Sequence, residues 1–148
     1  MRIVKGFSWA MAHRLGQGYS GKCQNLHGHT YRCEVVLGSD MPDRFGMVID
    51  FGQVKTSMEA WVNEYLDHAT LVTADDKALE DALIALGSRT FAMPARYHNT
   101  TAENIANMLF WKFLGMAHNL NVSLITVRVW ETETAYAEFT EGDKWHAN

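Results

Sequence analysis

Cysteine and proline are both scarce, with two of each in 148 residues. Two cysteines form one bridge at most, which excludes a disulfide framework, and no Pro- or Ser-rich linker divides the chain. Positive charge is also short: 13 Lys and Arg stand against 17 Asp and Glu, for a formal net charge of −4. That balance excludes a general nucleic-acid or membrane-surface binder, which would carry a basic stripe. Long apolar runs are missing. The most apolar stretch, Met108 to Ala117, is interrupted by Lys112 and is too short to span a bilayer. The opening MRIVKGFSWA lacks the apolar run of a secretory signal, so the expectation is a reduced, cytoplasmic protein. What is present is 47% hydrophobic and 20% charged residues, the composition of a folded globular chain, read here as a single domain over 1–148. Seven histidines complete the inventory, three of them early.

Hydrophobic periodicity supplies the outline. Ile3, Phe7, Trp9 and Met11 share one parity within residues 2–13, and Tyr31, Cys33, Val35 and Leu37 share one within 29–37, so each stretch reads as a half-buried strand. Asp50 has the character of an N-cap, followed at helical spacing by Val54, Met58, Trp61, Val62, Tyr65 and Leu66. Residues 75–87 read as a short helix stopped by Gly87, and Thr90–Met93 as a small strand ended by Pro94. Thr100-x-x-Glu103 reads as a capping box opening a helix with Ile105, Ala106, Leu109, Phe110, Phe113 and Leu114 on one face. Val122–Trp130 is rich in β-branched residues, and Ala135–Thr140 is placed to pair with it. The order β-β-α-α-β-β, with a small insertion between the helices, predicts an α+β fold: an antiparallel sheet with helices on one face.

Several groups carry chemical potential. Gly16-Gln17-Gly18-Tyr19-Ser20-Gly21 matches G-x-G-x-x-G, but a strand follows it where a dinucleotide site needs a helix, so it reads as a loop. His27-Gly28-His29 places two imidazoles on one side of an extended chain, with Gly28 relieving crowding between them. His13 ends the first strand with matching parity, and a hairpin would bring it to the pair as a third nitrogen, the donor count of a catalytic zinc site. An H-x-H pair also arises by chance, and a histidine at a strand end is often simply hydrogen-bonded. Cys23, four residues before His27, reads either as a base or nucleophile beside a metal or as a small hydrophobe; Cys33, mid-strand, fits the second reading. Asp67-His68 reads either as a helix terminus or as a carboxylate-partnered proton relay. Glu131 falls on the apolar side of its strand, where a carboxylate can accept two adjacent N–H donors of a pterin or purine edge, and Glu133 and Glu103 are its competitors.

Taken together, these pieces resemble the 6-pyruvoyl-tetrahydropterin synthase / 6-carboxytetrahydropterin synthase family. The stretches that carry the resemblance are Phe7-x-x-x-x-Ala12-His13-Arg14-Leu15 and Cys23-x-x-x-His27-Gly28-His29-x-Tyr31, then Met47-Val48-Ile49-Asp50-Phe51. Leu66-Asp67-His68, Thr101-Ala102-Glu103-Asn104 and Glu131-Thr132 follow in the family's order over nearly the whole chain. The resemblance implies the tunnelling fold, a four-stranded antiparallel sheet with two main helices on one side. It further implies trimers joined into a homohexamer, with active sites between subunits. It makes His13, His27 and His29 the ligands of one zinc ion per subunit, Cys23 the general base, and His68 with Asp67 a proton relay. Glu131 would anchor the pterin, with Glu103 and Thr101 as further substrate contacts, and Arg14 and Lys22 as cations for a triphosphate. The implied substrate is 7,8-dihydroneopterin triphosphate. The favoured branch releases acetaldehyde and triphosphate to give 6-carboxy-5,6,7,8-tetrahydropterin, on the way to 7-deazaguanine nucleosides such as queuosine. The alternatives are the 6-pyruvoyl branch, which leads towards tetrahydrobiopterin, and a non-catalytic metal- or pterin-binding module. Two departures stand out: Thr100 occupies the family's usual proline position, which would keep an N-cap, and the segment 74–99 is longer than in compact members.

Overall fold

The computed structural model describes residues 1–16 and 18–144. Gln17 and residues 145–148, His146 among them, lie outside the described residues. The chain opens with a long hairpin, β1 (Arg2–His13) and β2 (His27–Gly38), paired from Arg2↔Gly38 to His13↔His27. Phe7, Trp9 and Met11 of β1 and Tyr31, Cys33, Val35 and Leu37 of β2 are buried on one face, as their alternation predicts. A helical rod follows: α1 (Phe51–Val54) and α2 (Ala60–Tyr65), joined without a break by a π-helical turn (Lys55–Glu59). Asp50 caps it by accepting from the Gly52 amide at 2.7 Å. Val54, Met58, Val62 and Leu66, spaced by four residues, are fully buried along its inner stripe.

The sheet departs from the expected four antiparallel strands. Among the described residues it has six, in the order β4-β3-β1-β2-β5-β6, and it is mixed. The two additions are β3 (Ala69–Val72), parallel to both β1 and β4, and β4 (Thr90–Ala92), the small strand expected at Thr90–Met93 and here part of the main sheet. The physical cause lies at the end of α2. The Asp67 carboxylate accepts from the Ala10 amide at 2.9 Å and the His68 amide donates to the Ala10 carbonyl at 2.7 Å, so the helix exit is stitched to the edge of β1. His68 adopts a left-handed backbone (φ 57°), which turns the chain straight from helix into strand. A parallel strand then needs a crossover, and α3 (Lys77–Ala85), capped by Asp76, supplies it between β3 and β4. Gly87, at φ 72°, takes the left-handed position that ends α3.

The last segment is α4 (Ala102–Asn119), followed by the hairpin of β5 (Ser123–Trp130) and β6 (Tyr136–Thr140). Ile105, Leu109 and Phe113 of α4 are fully buried. Phe113 meets Phe7 of β1 with ring centres 6.3 Å apart and Trp61 of α2 at 6.4 Å, which puts both long helices on the same sheet face. The N-cap of α4 is Thr101, whose hydroxyl accepts from the Asn104 amide, and not Thr100. Thr100 is one residue outside the helix and has no exposed surface. Among the described residues no helix is long and apolar enough to cross a membrane.

Candidate metal centre and active site

The β1–β2 register sets the ends of the two strands level, so His13 faces His27 directly and His29 follows on the same face. Ring centres lie 4.6 Å apart for His13–His27, 5.2 Å for His13–His29 and 4.9 Å for His27–His29. One ring nitrogen from each comes within 4.8 Å of the others, the spacing of three ligands around one ion.

The hydrogen bonds identify which nitrogens are offered. His13 Nδ1 lies 2.9 Å from the Thr100 carbonyl oxygen, and His27 Nδ1 lies 2.8 Å from the Asn25 carbonyl oxygen. A carbonyl only accepts, so both Nδ1 atoms carry the proton and both Nε2 atoms present a lone pair. Those two Nε2 atoms are buried and have no hydrogen-bond partner among the described residues. An orphaned imidazole lone pair whose ring is oriented from behind by a carbonyl is the donor chemistry of a metal ligand. Burial, reinforced by the neighbouring His27 and His29, lowers His13 to a pKa of about 4, so it is neutral at physiological pH. A zinc ion fits this set.

Beside the histidines opens a cavity of about 330 Å³, lined by His13, Leu15, Tyr19, Cys23, Glu103 and Glu131 together with Thr101 and Tyr136. Its size is that of a small-molecule pocket. Cys23 sits on a single 3-10 turn (Lys22–Gln24), and its carbonyl accepts from the Leu15 amide at 2.8 Å, which ties the loop back to the end of β1. Glu131 directly follows β5, and Tyr31 donates to its Oε1 at 3.3 Å. The same carboxylate oxygen lies 3.8 Å from His13 Nε2, so Glu131 borders both the cavity and the metal centre. Burial and the Glu131 charge push the Tyr31 hydroxyl far up, which keeps it a donor. Among the three candidate carboxylates, Glu131 and Glu103 line the cavity, whereas Glu133 is exposed in the turn after β5.

Other expected site residues fall elsewhere. Asp67 and His68 sit at the β1 edge of the sheet; His68 lines a second cavity of about 520 Å³ with Ala10, Thr30 and Arg89, which His29 of the histidine cluster also borders. The Asp67 carboxylate lies 2.9 Å from His68 Nδ1, and the Ala10 amide, with help from His68 and Arg89, holds it below the usual carboxylate range. Arg14 points away from the histidines. Its Nε and Nη2 donate to Asp76 at 2.7 and 2.6 Å, a bidentate clamp between the end of β1 and the start of α3. Lys22 is exposed on the turn that carries Cys23. Both cysteines are free; Cys33 is fully buried and its thiol is pushed up by burial, as a core residue should be. The expected steric need for Gly28 is absent: a Cβ there would meet only the Met11 carbonyl oxygen at 3.6 Å, an ordinary contact.

Sequence reasoning missed two contributors, Thr100 and Asn99. Thr100 holds the His13 ring, and Asn99 ties the Thr100 loop to Gly16 through its side-chain oxygen at 2.8 Å. The displaced cap hid them, because assigning Thr100 to the helix left it no other task.

The model of the 6-pyruvoyl tetrahydropterin synthase family matches residues 2–142. The chain is 37% identical over 146 residues to a 6-carboxy-5,6,7,8-tetrahydropterin synthase of Haemophilus influenzae, covering 95% of this chain and 99% of the relative. It is 36% identical over 143 residues to the protein of the same description from Rickettsia felis, covering 93% and 99%. Among solved structures, an uncharacterized protein from Wolinella succinogenes superposes with a TM-score of 0.82 at 21% identity, covering 95% of this chain and 98% of that one. The 6-pyruvoyl tetrahydropterin synthase of Caenorhabditis elegans superposes with a TM-score of 0.69 at 24% identity, covering 96% of each chain. At those identities the two structures speak for the fold.

Proposed function

The chain belongs to the 6-pyruvoyl tetrahydropterin synthase family, and on that premise we propose that it is a zinc-dependent 6-carboxy-5,6,7,8-tetrahydropterin synthase. It would convert 7,8-dihydroneopterin triphosphate and one water to the 6-carboxy pterin, releasing acetaldehyde and triphosphate, in the route to queuosine. The carrying observation is the single cavity in which Cys23 and Glu131 share walls with His13, whose unpartnered Nε2 belongs to the three-histidine cluster. The 6-carboxy description borne by the Haemophilus and Rickettsia relatives supports that branch.

Each side chain then has a task. His13, His27 and His29 would hold zinc, which when bound supplies Lewis-acid polarisation of the substrate's side-chain hydroxyls. Glu131, aimed by the Tyr31 hydroxyl, accepts paired N–H donors of the pterin edge, and Glu103 with Thr101 forms the opposite wall. Leu15, Tyr19 and Tyr136 keep bulk water off the ring. Cys23, once deprotonated, takes a proton from the substrate side chain. The proton is returned by His68, oriented by Asp67. Within one chain His68 and Cys23 line different cavities, the first bordered by His29, so this reading requires the relay of a neighbouring subunit. That requirement supports a homo-oligomer with sites between subunits, the hexamer of the family resemblance. The exposed Lys22 is left to meet the triphosphate, since Arg14 is engaged by Asp76.

The test is incubation of the zinc-loaded protein with 7,8-dihydroneopterin triphosphate and identification of the products by mass. Acetaldehyde with 6-carboxytetrahydropterin is the expected outcome. The 6-pyruvoyl pterin would move the protein to the other branch, and unchanged substrate with bound pterin would make it a binding module. Elemental analysis should find one zinc per subunit.

A further inference from the structure

We propose that Thr100 is a positioning residue for the metal centre: its hydroxyl joins its own carbonyl in holding His13 Nδ1–H, and so fixes the direction of the Nε2 lone pair and tightens metal binding. The inference rests on the reading of His13, His27 and His29 as a zinc site.

The geometry is a two-acceptor clamp. His13 Nδ1 lies 2.9 Å from the Thr100 carbonyl oxygen and 3.2 Å from Thr100 Oγ1. The hydroxyl has already given its proton to the Arg14 carbonyl at 2.8 Å, so towards His13 it presents a lone pair and acts as an acceptor. With two acceptors behind it, the Nδ1 proton is doubly anchored, and the neutral tautomer that leaves Nε2 bare is the one selected. Only 2% of His13 and none of Thr100 is exposed, so water does not substitute for either bond.

The clamp is itself held. Asn99 Oδ1 accepts from the Gly16 amide at 2.8 Å and from the Thr100 amide at 3.0 Å. Asn104 Nδ2, on the first turn of α4, donates to the Asn99 carbonyl at 2.9 Å. The loop at 99–101 is thereby fastened both to the strand end that carries His13 and to the helix that supplies Thr101 and Glu103 to the cavity wall. Because the carbonyl remains whichever residue stands at 100, removing the hydroxyl should loosen the ring without abolishing the site.

The experiment measures zinc affinity by chelator competition for the full-length wild type, Thr100→Val, Thr100→Ala and Thr100→Ser, with the Tm of each metal-free protein as a folding control. Loss of an outer-shell partner weakens metal binding by roughly 10–100-fold, and with the carbonyl retained the expectation here is about tenfold for Val and Ala. Thr100→Ser, which restores the hydroxyl, should stay within about twofold of wild type. The zinc-induced rise in Tm should shrink in step for Val and Ala. If Val does not fold, Ala decides. Wild-type zinc affinity in a folded hydroxyl-less variant would overturn the proposal even if its metal-free Tm fell, since Thr100 would then be only a structural link. An equal loss in Thr100→Ser would overturn it too, by implicating the methyl group. A wild type that binds no zinc would instead overturn the metal-site reading on which the proposal stands.

Discussion

Two groups of polar side chains near one end of the β1–β2 hairpin differ in how complete they are. On the helix-covered face, His13, Cys23 and Glu131 share one cavity and His27 and His29 adjoin it, all supplied by a single chain. At the β1 edge, Asp67 and His68 pair at 2.9 Å beside a second cavity that His29 lines and no cysteine does, and the His68 side chain is 78% exposed. The first group is gathered by the pairing of β1 with β2 and by the loop that carries Cys23, whereas Asp67 and His68 lie in the turn from α2 to β3, tied to the β1 edge through the Ala10 amide and carbonyl. On the proposed reading the two groups serve one reaction and are joined across subunits.

The sharpest way to break this comparison is subunit mixing. Cys23→Ala and His68→Ala should each lower kcat by about 10²–10⁴-fold, the usual worth of a positioned acid or base, while Cys23→Ala keeps its zinc. Co-assembled from equal amounts of the two variants, the oligomer should regain about a quarter of wild-type activity, because that share of sites draws both intact residues from neighbouring subunits. No recovery in verified mixed oligomers would place the two residues in separate tasks. A smaller effect probes the inner cavity alone. Glu131→Gln should weaken pterin affinity about tenfold, in keeping with the worth of a hydrogen bond to a charged group, with zinc content unchanged. Unaltered affinity by calorimetry would transfer the anchor to Glu103.

The smallest expected effect concerns the Arg14–Asp76 clamp beside the cavity. Arg14 holds the Asp76 carboxyl below its usual range, whereas in the unfolded chain the group titrates near about 3.9. The folded value is the depressed one, so the clamp's contribution is present above about pH 4 and is lost as the pH falls through the folded value. Asp76→Asn keeps a helix-capping side chain and should cost about 0.5 kcal/mol or less at pH 7, since the pair is partly solvated. Urea unfolding at pH 7 and at pH 3 checks this: the gap between variant and wild type should narrow on acidification. A rise in triphosphate affinity on freeing Arg14 would show that the guanidinium can still reach the substrate.

Much of this was legible in residue order. Alternation located β1 and β2, helical spacing placed Val54, Met58, Val62 and Leu66 on one buried stripe, and the H-x-H pair with His13 anticipated the three-histidine cluster. The four residues of β3 gave no periodic signal because every one of them is buried, and alternation exists only where one face meets water. The cap of α4 slipped by one residue because Thr100 and Thr101 are chemically equivalent candidates, and only the packing of Thr100 against His13 separates them. Arg14 looked free in the sequence because its partner, Asp76, is 62 residues away.

By itself, then, the sequence determined the strand faces, the helical stripes and the residue types that gather in the three-histidine cluster, because those depend on periodicities of two and 3.6 residues and on side-chain identity. Only the tertiary structure decided which donors meet. It gave His13 its Thr100 clamp, sent Arg14 to Asp76, added β3 through the left-handed turn at His68 with the Thr90–Ala92 strand beside it, and set Asp67 and His68 in a different cavity from the cysteine. Those outcomes rest on contacts between residues far apart in the chain, and local pattern carries no information about them.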